Sequence, residues 1–397
     1  MTEFATRARA ALAERGMSMR RAARALNFDP TYLSRVLSGK QAPSVNLARG
    51  LDQLVEAEGT LAALVSGPVR SSPVQPPPGE GVGSEDDLEA VELARRVEAS
   101  DVGTETLECL EAAFDGMAVA YQTAQPSALL RDVRRHSAYV TKLLDERTTL
   151  GEHRRLLILG GWLSLLAATL HVDLREAGAA TSRLRTAALL AQHAEHPEIR
   201  AWAYETQAWR ALTAGDYQRA VELSRAAQGI APRGGSVAVQ ATAQEGRARA
   251  RLGEKAAAYG AIERVQRLAS TMVMRARPEH HFQYDPDKAT SYAATTLAWI
   301  GDPAAEAPAR EVIGHLPPGT DSAAWPRRIV TAHLDLALTL LSLGRLDEAT
   351  DAATRAISSG RLLPANHWRV LEIVRAVEAR RLPEARELRE AYEGLCL

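Results

Sequence analysis

The chain has 397 residues, 46% hydrophobic but only 5% aromatic, and a formal net charge of −1. That length allows two or three domains with a sizeable buried core, and scarce aromatics beside abundant alanine suit close-packed helices rather than a sheet. Cys109 and Cys396 have no metal or redox spacing, no signal peptide is visible, and the apolar run at residues 156–170 is short for a bilayer span; the expectation is a reduced, cytoplasmic (nucleoid-associated) protein with no membrane partner and no cofactor.

Charge is unevenly placed. Residues 1–66 hold nine basic side chains against six acidic ones, +3, leaving −4 for the rest. A basic head on a mildly acidic body suits a module that touches phosphates and a body that does not. Within the head, residues 3–15 form a first expected helix, with Phe4, Ala8, Ala11 and Leu12 facing inward and Gly16 stopping it. Ser18 is an N-cap type for a second helix carrying Ala22, Ala23 and Leu26 on one face. Asn27 stands at a corner, where its tolerance of the left-handed region helps. Asp29-Pro30 restarts the chain as N-cap and first helical residue, the new helix buries Leu33, Val36 and Leu37, and Gly39 ends it. Ser44 caps a fourth helix through Leu47, Leu51 and Leu54, and a fifth runs through Leu61, Leu64 and Val65.

The stretch L-N-F-D-P-T-Y-L-S-R-V-L-S-G-K-Q-A-P-S resembles the helix-turn-helix of the Cro/phage-repressor (XRE-like) family, the likeness covering roughly residues 4–66. Asn27 stands where that family often has Gly, and Met19 where a glutamine frequently meets a phosphate. The resemblance implies a five-helix, lambda-repressor-like domain on double-stranded DNA. Pro30, Thr31, Ser34 and Arg35 lie near the exposed N-terminal face of the second motif helix and are the base-contact candidates, Arg35 being able to fork onto guanine. Ser18, Arg20, Arg24, Tyr32, Lys40 and Gln41 are the phosphate-contact candidates, which position the helix without specifying sequence. Arg35 as a plain solvated residue and Tyr32 as a local packing residue are the bland alternatives.

From residue 67 to 84 the sequence is GPVRSSPVQPPPGEGVGS, an interdomain linker by composition. Its glycines follow no strand and precede no Gly-Lys-Ser/Thr, which rules against a phosphate loop. Residues 85–150 read as helical without a repeat, a capping or dimerising segment. Residues 151–397 repeat weakly. The clearest unit is YETQAWRALTAGDYQRAVELSRAAQGIAP at 204–232, with Ala208 on a first helix, Gly215 in the turn, and Ala220 and Ala227 on a second helix. Its order and spacing resemble the tetratricopeptide (TPR) pattern. Further copies centre on turn glycines Gly253, Gly301 and Gly344, spaced by 38, 48 and 43 residues rather than the usual roughly 34, with a degenerate copy before them and a capping helix after Pro383. The excess length includes residues 277–287, read as a Pro/His-containing loop.

In a TPR superhelix the first helix of each repeat lines the concave face. On this register that face carries Trp162, Trp202, Glu205, Trp209, Gln240, Arg247, Arg251, Lys288, Ser291 and Trp299, able to hold an extended ligand by stacking and hydrogen bonds. The alternative is that the tryptophans pack between repeats and the arginines are solvated. Enzymatic motifs fail individually: His193 and His196 lack the H-E-x-x-H spacing, and His280-His281 with Glu279 and Asp285 has no diagnostic metal spacing. No enzyme and no metal site is therefore expected.

The expectation is an all-α protein: a helix-turn-helix domain (1–66), a linker (67–84), a helical segment (85–150) and a TPR-like α-solenoid (151–397). The layout resembles XRE-type TPR regulators of GC-rich bacteria and peptide-pheromone-sensing regulators. That implies a transcriptional regulator working as a homodimer on a pseudo-palindromic operator, its solenoid sensing a peptide, small molecule or protein partner. The competing expectation is a TPR scaffold that binds a protein partner and uses its head only for weak localisation.

Overall fold

The protein's structure, a computed structural model, describes residues 3–26, 30–41, 43–55, 57, 60–65, 93, 100–272, 280–284, 286–381 and 385–395. The expected corner at Asn27 and cap at Asp29, the 67–84 linker, Glu279, Asp285 and Cys396 fall outside them. The fold is all-α, and the chain divides into two compact units, Met1–Glu89 and Ala90–Leu397.

The first unit contains α1 (Glu3–Glu14), α2 (Met19–Ala25), α3 (Pro30–Leu37), α4 (Val45–Val55) and the single turn α5 (Thr60–Ala63). Apolar residues at helical spacing converge on one core built from Phe4, Ala8, Leu12, Ala22, Ala23, Leu33, Val36, Leu47 and Leu51. The Ser18 hydroxyl accepts from the Arg21 N–H at 3.3 Å and the Ser44 hydroxyl from the Leu47 N–H at 3.2 Å, so both expected caps form. The fifth helix is shorter than the apolar pattern implied, because Leu64 and Val65 lie in a turn after it, half-buried against the core.

The second unit opens with α6 (Thr104–Ala120) and α7 (Pro126–Leu144), the pair that the sequence left without a repeat. Hairpins follow: α8 (Leu150–Asp173) with α9 (Ala177–His193), α10 (Pro197–Thr213) with α11 (Tyr217–Ile230), and α12 (Ser236–Arg251) with α13 (Lys255–Ala269). Then come α14 (Pro286–Trp299) with α15 (Glu306–Gly314), α16 (Arg327–Ser342) with α17 (Leu346–Ser358), and α18 (His367–Ala379) with α19 (Ala385–Leu395). Gly215, Gly253, Gly301 and Gly344 take φ of +83°, +76°, +72° and +73° at four hairpin turns, the left-handed geometry that made them readable as turn markers.

Each even-numbered helix from α6 to α18 packs on its even-numbered neighbours, while the odd-numbered helices fill the outside. That is the two-layer arrangement of a TPR-like solenoid. By length and composition α8, at 24 residues, would pass as a membrane span, but most of its apolar window is buried by α7, α9 and α10. It is a core helix, extending well beyond the apolar run that marked it.

Two features depart from a plain row of hairpins. The segment at 280–284, part of the expected Pro/His-containing loop, turns inward: His280, Phe282 and Tyr284 are buried, and the His281 N–H donates to the Ala118 carbonyl at 3.0 Å. Phe282 stacks on Phe114 and meets Trp162 and Trp202 at ring-centroid distances of 6.0, 5.0 and 5.2 Å. The superhelix also curls back on itself. A short 3-10 turn, Pro364–Asn366, touches α8, and the Arg327 N–H donates to the Gln122 carbonyl at 3.1 Å.

Candidate functional site

Buried polar side chains in the second unit sit largely on the even-numbered helices: Thr169 and Asp173, Glu205 and Thr206, Gln240 and Gln244, Lys288 and Thr295, Arg327 and Asp335, and Arg369. A helix face that is buried yet polar faces either a paired network or a cavity. Here it faces both. The inner wall lines a partly open chamber of about 160 Å³, floored by α8, α10, α12, α14, α16 and α18.

At one edge, Arg327 donates to Asp173 at 2.6 Å and its guanidinium lies 3.8 Å from the Tyr121 ring centroid. Asp173 is fully buried; burial pushes its carboxyl up while Arg327 opposes the shift. Burial, then Asp173, also holds the Tyr121 phenol well above its ordinary value. At the wall formed by α10, α12 and α14, Gln240 donates to Glu205 at 3.1 Å and to the Tyr292 hydroxyl at 2.6 Å. Burial raises the Glu205 carboxyl, against the pull of Gln240, Arg247 and Lys288. Lys288 donates to the His280 and His281 carbonyls at 2.8 and 3.1 Å, so a chamber lysine holds the inward-turned loop. Burial first, and the Lys288 and Arg327 charges next, keep His281 well below its usual range, hence neutral.

Further along, Thr295 donates to Asp335 at 2.6 Å and Arg369 pairs with the other oxygen of the same carboxylate. Arg251 forks onto Glu372 at 2.8 and 2.6 Å while stacking on Trp299 and Trp368, 4.4 and 4.8 Å from their centroids.

Of the ten groove residues expected from sequence, Glu205, Trp209, Gln240, Arg247, Lys288, Ser291 and Trp299 line this chamber. Trp202 does not: it is 1% exposed in the hydrophobic core, one of the tryptophans that pack between repeats. Trp162 sits among Phe114, His196 and Phe282 beside a separate cavity. Arg251 lies behind the chamber wall, held by Glu372 and two indoles. Sequence reading missed Tyr121, Asp173, Arg327, Trp368 and Arg369. A signal existed for some of them: Asp173 ends the helix that carries the apolar run at 156–170, and Arg369 interrupts an apolar stripe.

In the first unit, α3 turns Leu33, Val36 and Leu37 into the core and leaves Ser34 and Arg35 exposed. Pro30 and Thr31 lie in its first turn. Arg20 and Arg24 on α2, and Lys40 and Gln41 after α3, are exposed as well, which gives two motif helices a shared basic character. Tyr32 is half-buried against the core, and the Ser44 N–H donates to its hydroxyl at 3.1 Å, so it braces the segment leading into α4. Ser18 spends its hydroxyl on the α2 cap. Met19 packs against the core rather than facing outward as a polar residue would.

No curated protein matches the sequence. Among solved structures the chain is similar to Bacillus thuringiensis PlcR, a structure described as in complex with the peptide PapR7 and DNA. Identity is 12%, coverage 68% of this chain and 95% of that one, and the TM-score 0.27, a level that carries no inference about ligand or assembly. A family model described as helix-turn-helix matches residues 9–53, spanning α2, α3 and most of α1 and α4. The N-terminal head of this chain therefore carries a helix-turn-helix.

Proposed function

We propose that this protein is a sequence-specific, DNA-binding transcriptional regulator, acting as a homodimer on a pseudo-palindromic operator, whose solenoid chamber binds an effector that sets DNA affinity. The observation that carries the DNA half is the helix-turn-helix head with Ser34 and Arg35 exposed on its second motif helix. Pro30, Thr31, Ser34 and Arg35 are the proposed base contacts. Arg20, Arg24, Lys40 and Gln41, with Ser18 and Tyr32 alongside, are the proposed phosphate contacts. One such head reads only a half-site, so two-fold pairing supplies the rest of the operator.

The effector half rests on the chamber. A cavity of about 160 Å³ falls below the roughly 300–1,000 Å³ of ordinary ligand pockets and near the roughly 150 Å³ that accommodates benzene. That size favours a small molecule over an extended peptide laid along the whole groove. Control then works as a population shift, with an occupied chamber favouring one curvature of the solenoid and one spacing of the two heads.

The test is operator selection from a random duplex pool followed by a salt titration. The expected result is an enriched pseudo-palindrome whose log affinity falls linearly with log salt, at a slope of about −0.9 per phosphate neutralised. Failure to enrich any sequence, with the solenoid instead retaining a protein partner at the same salt, favours a scaffold and overturns the regulator.

A further inference from the structure

Five buried side-chain atoms on residues lining the chamber have no hydrogen-bond partner: Asp173 Oδ1 and Arg327 Nε lie together at the Tyr121 edge, and the other three, the indole N–H groups of Trp299 and Trp368 and Nε of Arg247, are all donors. These three come from α14, α18 and α12. Buried polar groups are nearly always paired, by protein or by something bound, and a set made only of donors asks for an acceptor.

The charges around them point the same way. Burial and the nearby Arg251 and Arg247 charges lower the Arg369 guanidinium against the pull of Asp335, so three guanidiniums share this neighbourhood. Arg369 is paired with Asp335 and Arg251 with Glu372, whereas the hydrogen bond that Arg247 makes is to the neutral Gln244 amide. Of these three guanidiniums, Arg247 is the one whose hydrogen bond goes to no carboxylate. Glu205, the remaining acid within reach of Arg247, is shifted by burial toward its neutral form.

The walls are flat and aromatic. The Trp299 and Trp368 rings lie 5.8 Å apart at 53°, and the Tyr292 ring lies 4.1 Å from the Arg247 guanidinium. Resting on the sensor reading above, we propose that this corner of the chamber binds the carboxylate of a small, ring-sized organic acid, Trp299, Trp368 and Arg247 donating to its oxygens. A guanidinium with no carboxylate hydrogen-bonded to it suits an anionic oxygen, and the volume matches one ring with its acid group.

The experiment uses the full chain and three probes of one shape: benzoate, benzamide and benzylamine. Binding is followed by calorimetry and tryptophan fluorescence. Benzoate binds saturably, at least tenfold tighter than the neutral or cationic probe. Trp368→Phe and Trp299→Phe, which keep the ring and remove the N–H, each weaken benzoate about tenfold and leave benzamide unchanged. Melting curves of both variants check that the solenoid is intact, and Arg247→Gln serves as an independent third change. Absence of benzoate binding overturns the site, as does equal or tighter binding of benzamide or benzylamine, or indifference of benzoate to all three substitutions. Benzamide that binds as tightly as benzoate and shifts operator affinity sinks the carboxylate site while the sensor reading stands. Benzoate bound with the expected variant losses, but without effect on the operator, sinks the sensor reading while the site stands.

Discussion

Arg35 is the side chain whose role is easiest to isolate. It is exposed on α3, so removing it costs little packing, and in the proposed function its guanidinium forks onto a guanine edge. Arg35→Ala is expected to leave the melting temperature nearly unchanged and to reduce discrimination between the selected operator and a scrambled duplex by about 1–3 kcal/mol. Anisotropy titrations on both duplexes check this, and equal discrimination by variant and parent removes Arg35 from the base-reading set. His333 offers a pH handle. It stacks on Trp325 at 5.3 Å, and burial, aided by Arg355 and opposed by Asp351, lowers its pKa to about 4. A histidine depressed in the folded state binds fewer protons there than when unfolded, so its contribution to stability is present above pH 6.5 and is lost as pH falls toward 4. His281, neutral for similar reasons, adds in the same direction. Unfolding midpoints in urea between pH 7 and pH 4 are expected to fall, and His333→Phe to flatten part of that slope.

At the scale of the element, helix crossings decide which small residues matter. Gly246 on α12 lies against α13, where a Cβ would come within 2.9 Å of the Ala261 Cβ, an atom that cannot swing aside. Gly260 on α13 has room, its nearest outside contact being the flexible end of Arg264 at 3.8 Å. Overpacking costs about 1–3 kcal/mol, while replacing a helical glycine by alanine gains up to about 1 kcal/mol. Gly246→Ala is therefore expected to destabilise and Gly260→Ala to stabilise, and thermal melts of the two should move in opposite directions. The repeat pattern places Gly246 at the small-residue position that Ala208 holds in the clearest copy and gives Gly260 no such position. What the sequence did carry at this scale was periodicity and punctuation: Ala208, Ala220 and Ala227 at the crossings, glycine at four turns, Ser18 and Ser44 at helix starts. Two further hairpin turns use Arg175 and Arg381 at φ of +61° and +55°, which no composition rule announces; the first lies in the degenerate copy and the second leads into the expected capping helix.

At the scale of the whole second unit, the Asp173–Arg327 pair spans 154 positions of sequence and ties the C-terminal repeats to the first hairpins, with Arg361 donating to the Gln122 carbonyl at 3.4 Å nearby. Breaking a buried pair from one side strands a charge, at about 3–5 kcal/mol, whereas replacing both partners with apolar residues of similar size is nearly neutral. Asp173→Leu and Arg327→Met should each lower the urea midpoint of the solenoid sharply, and the double variant should recover most of the loss. Additive losses would mean that the pair does not act as one unit across the closed superhelix.

The sequence by itself determined the local layer of this protein: helix type, caps, turn residues, the helix-turn-helix head and the rough register that put Glu205, Trp209, Gln240, Arg247, Lys288, Ser291 and Trp299 on the inner wall. These follow from 3.6-residue periodicity and from backbone chemistry, which act over a few residues. Only the tertiary structure decided that Trp202 is core, that the 280–284 segment turns inward under Lys288, and that Tyr121, Asp173, Arg327, Trp368 and Arg369 meet at the chamber. The reason is geometric: the small rotation between successive hairpins accumulates along the solenoid and brings residues 154 positions apart into contact, a sum that no local pattern records.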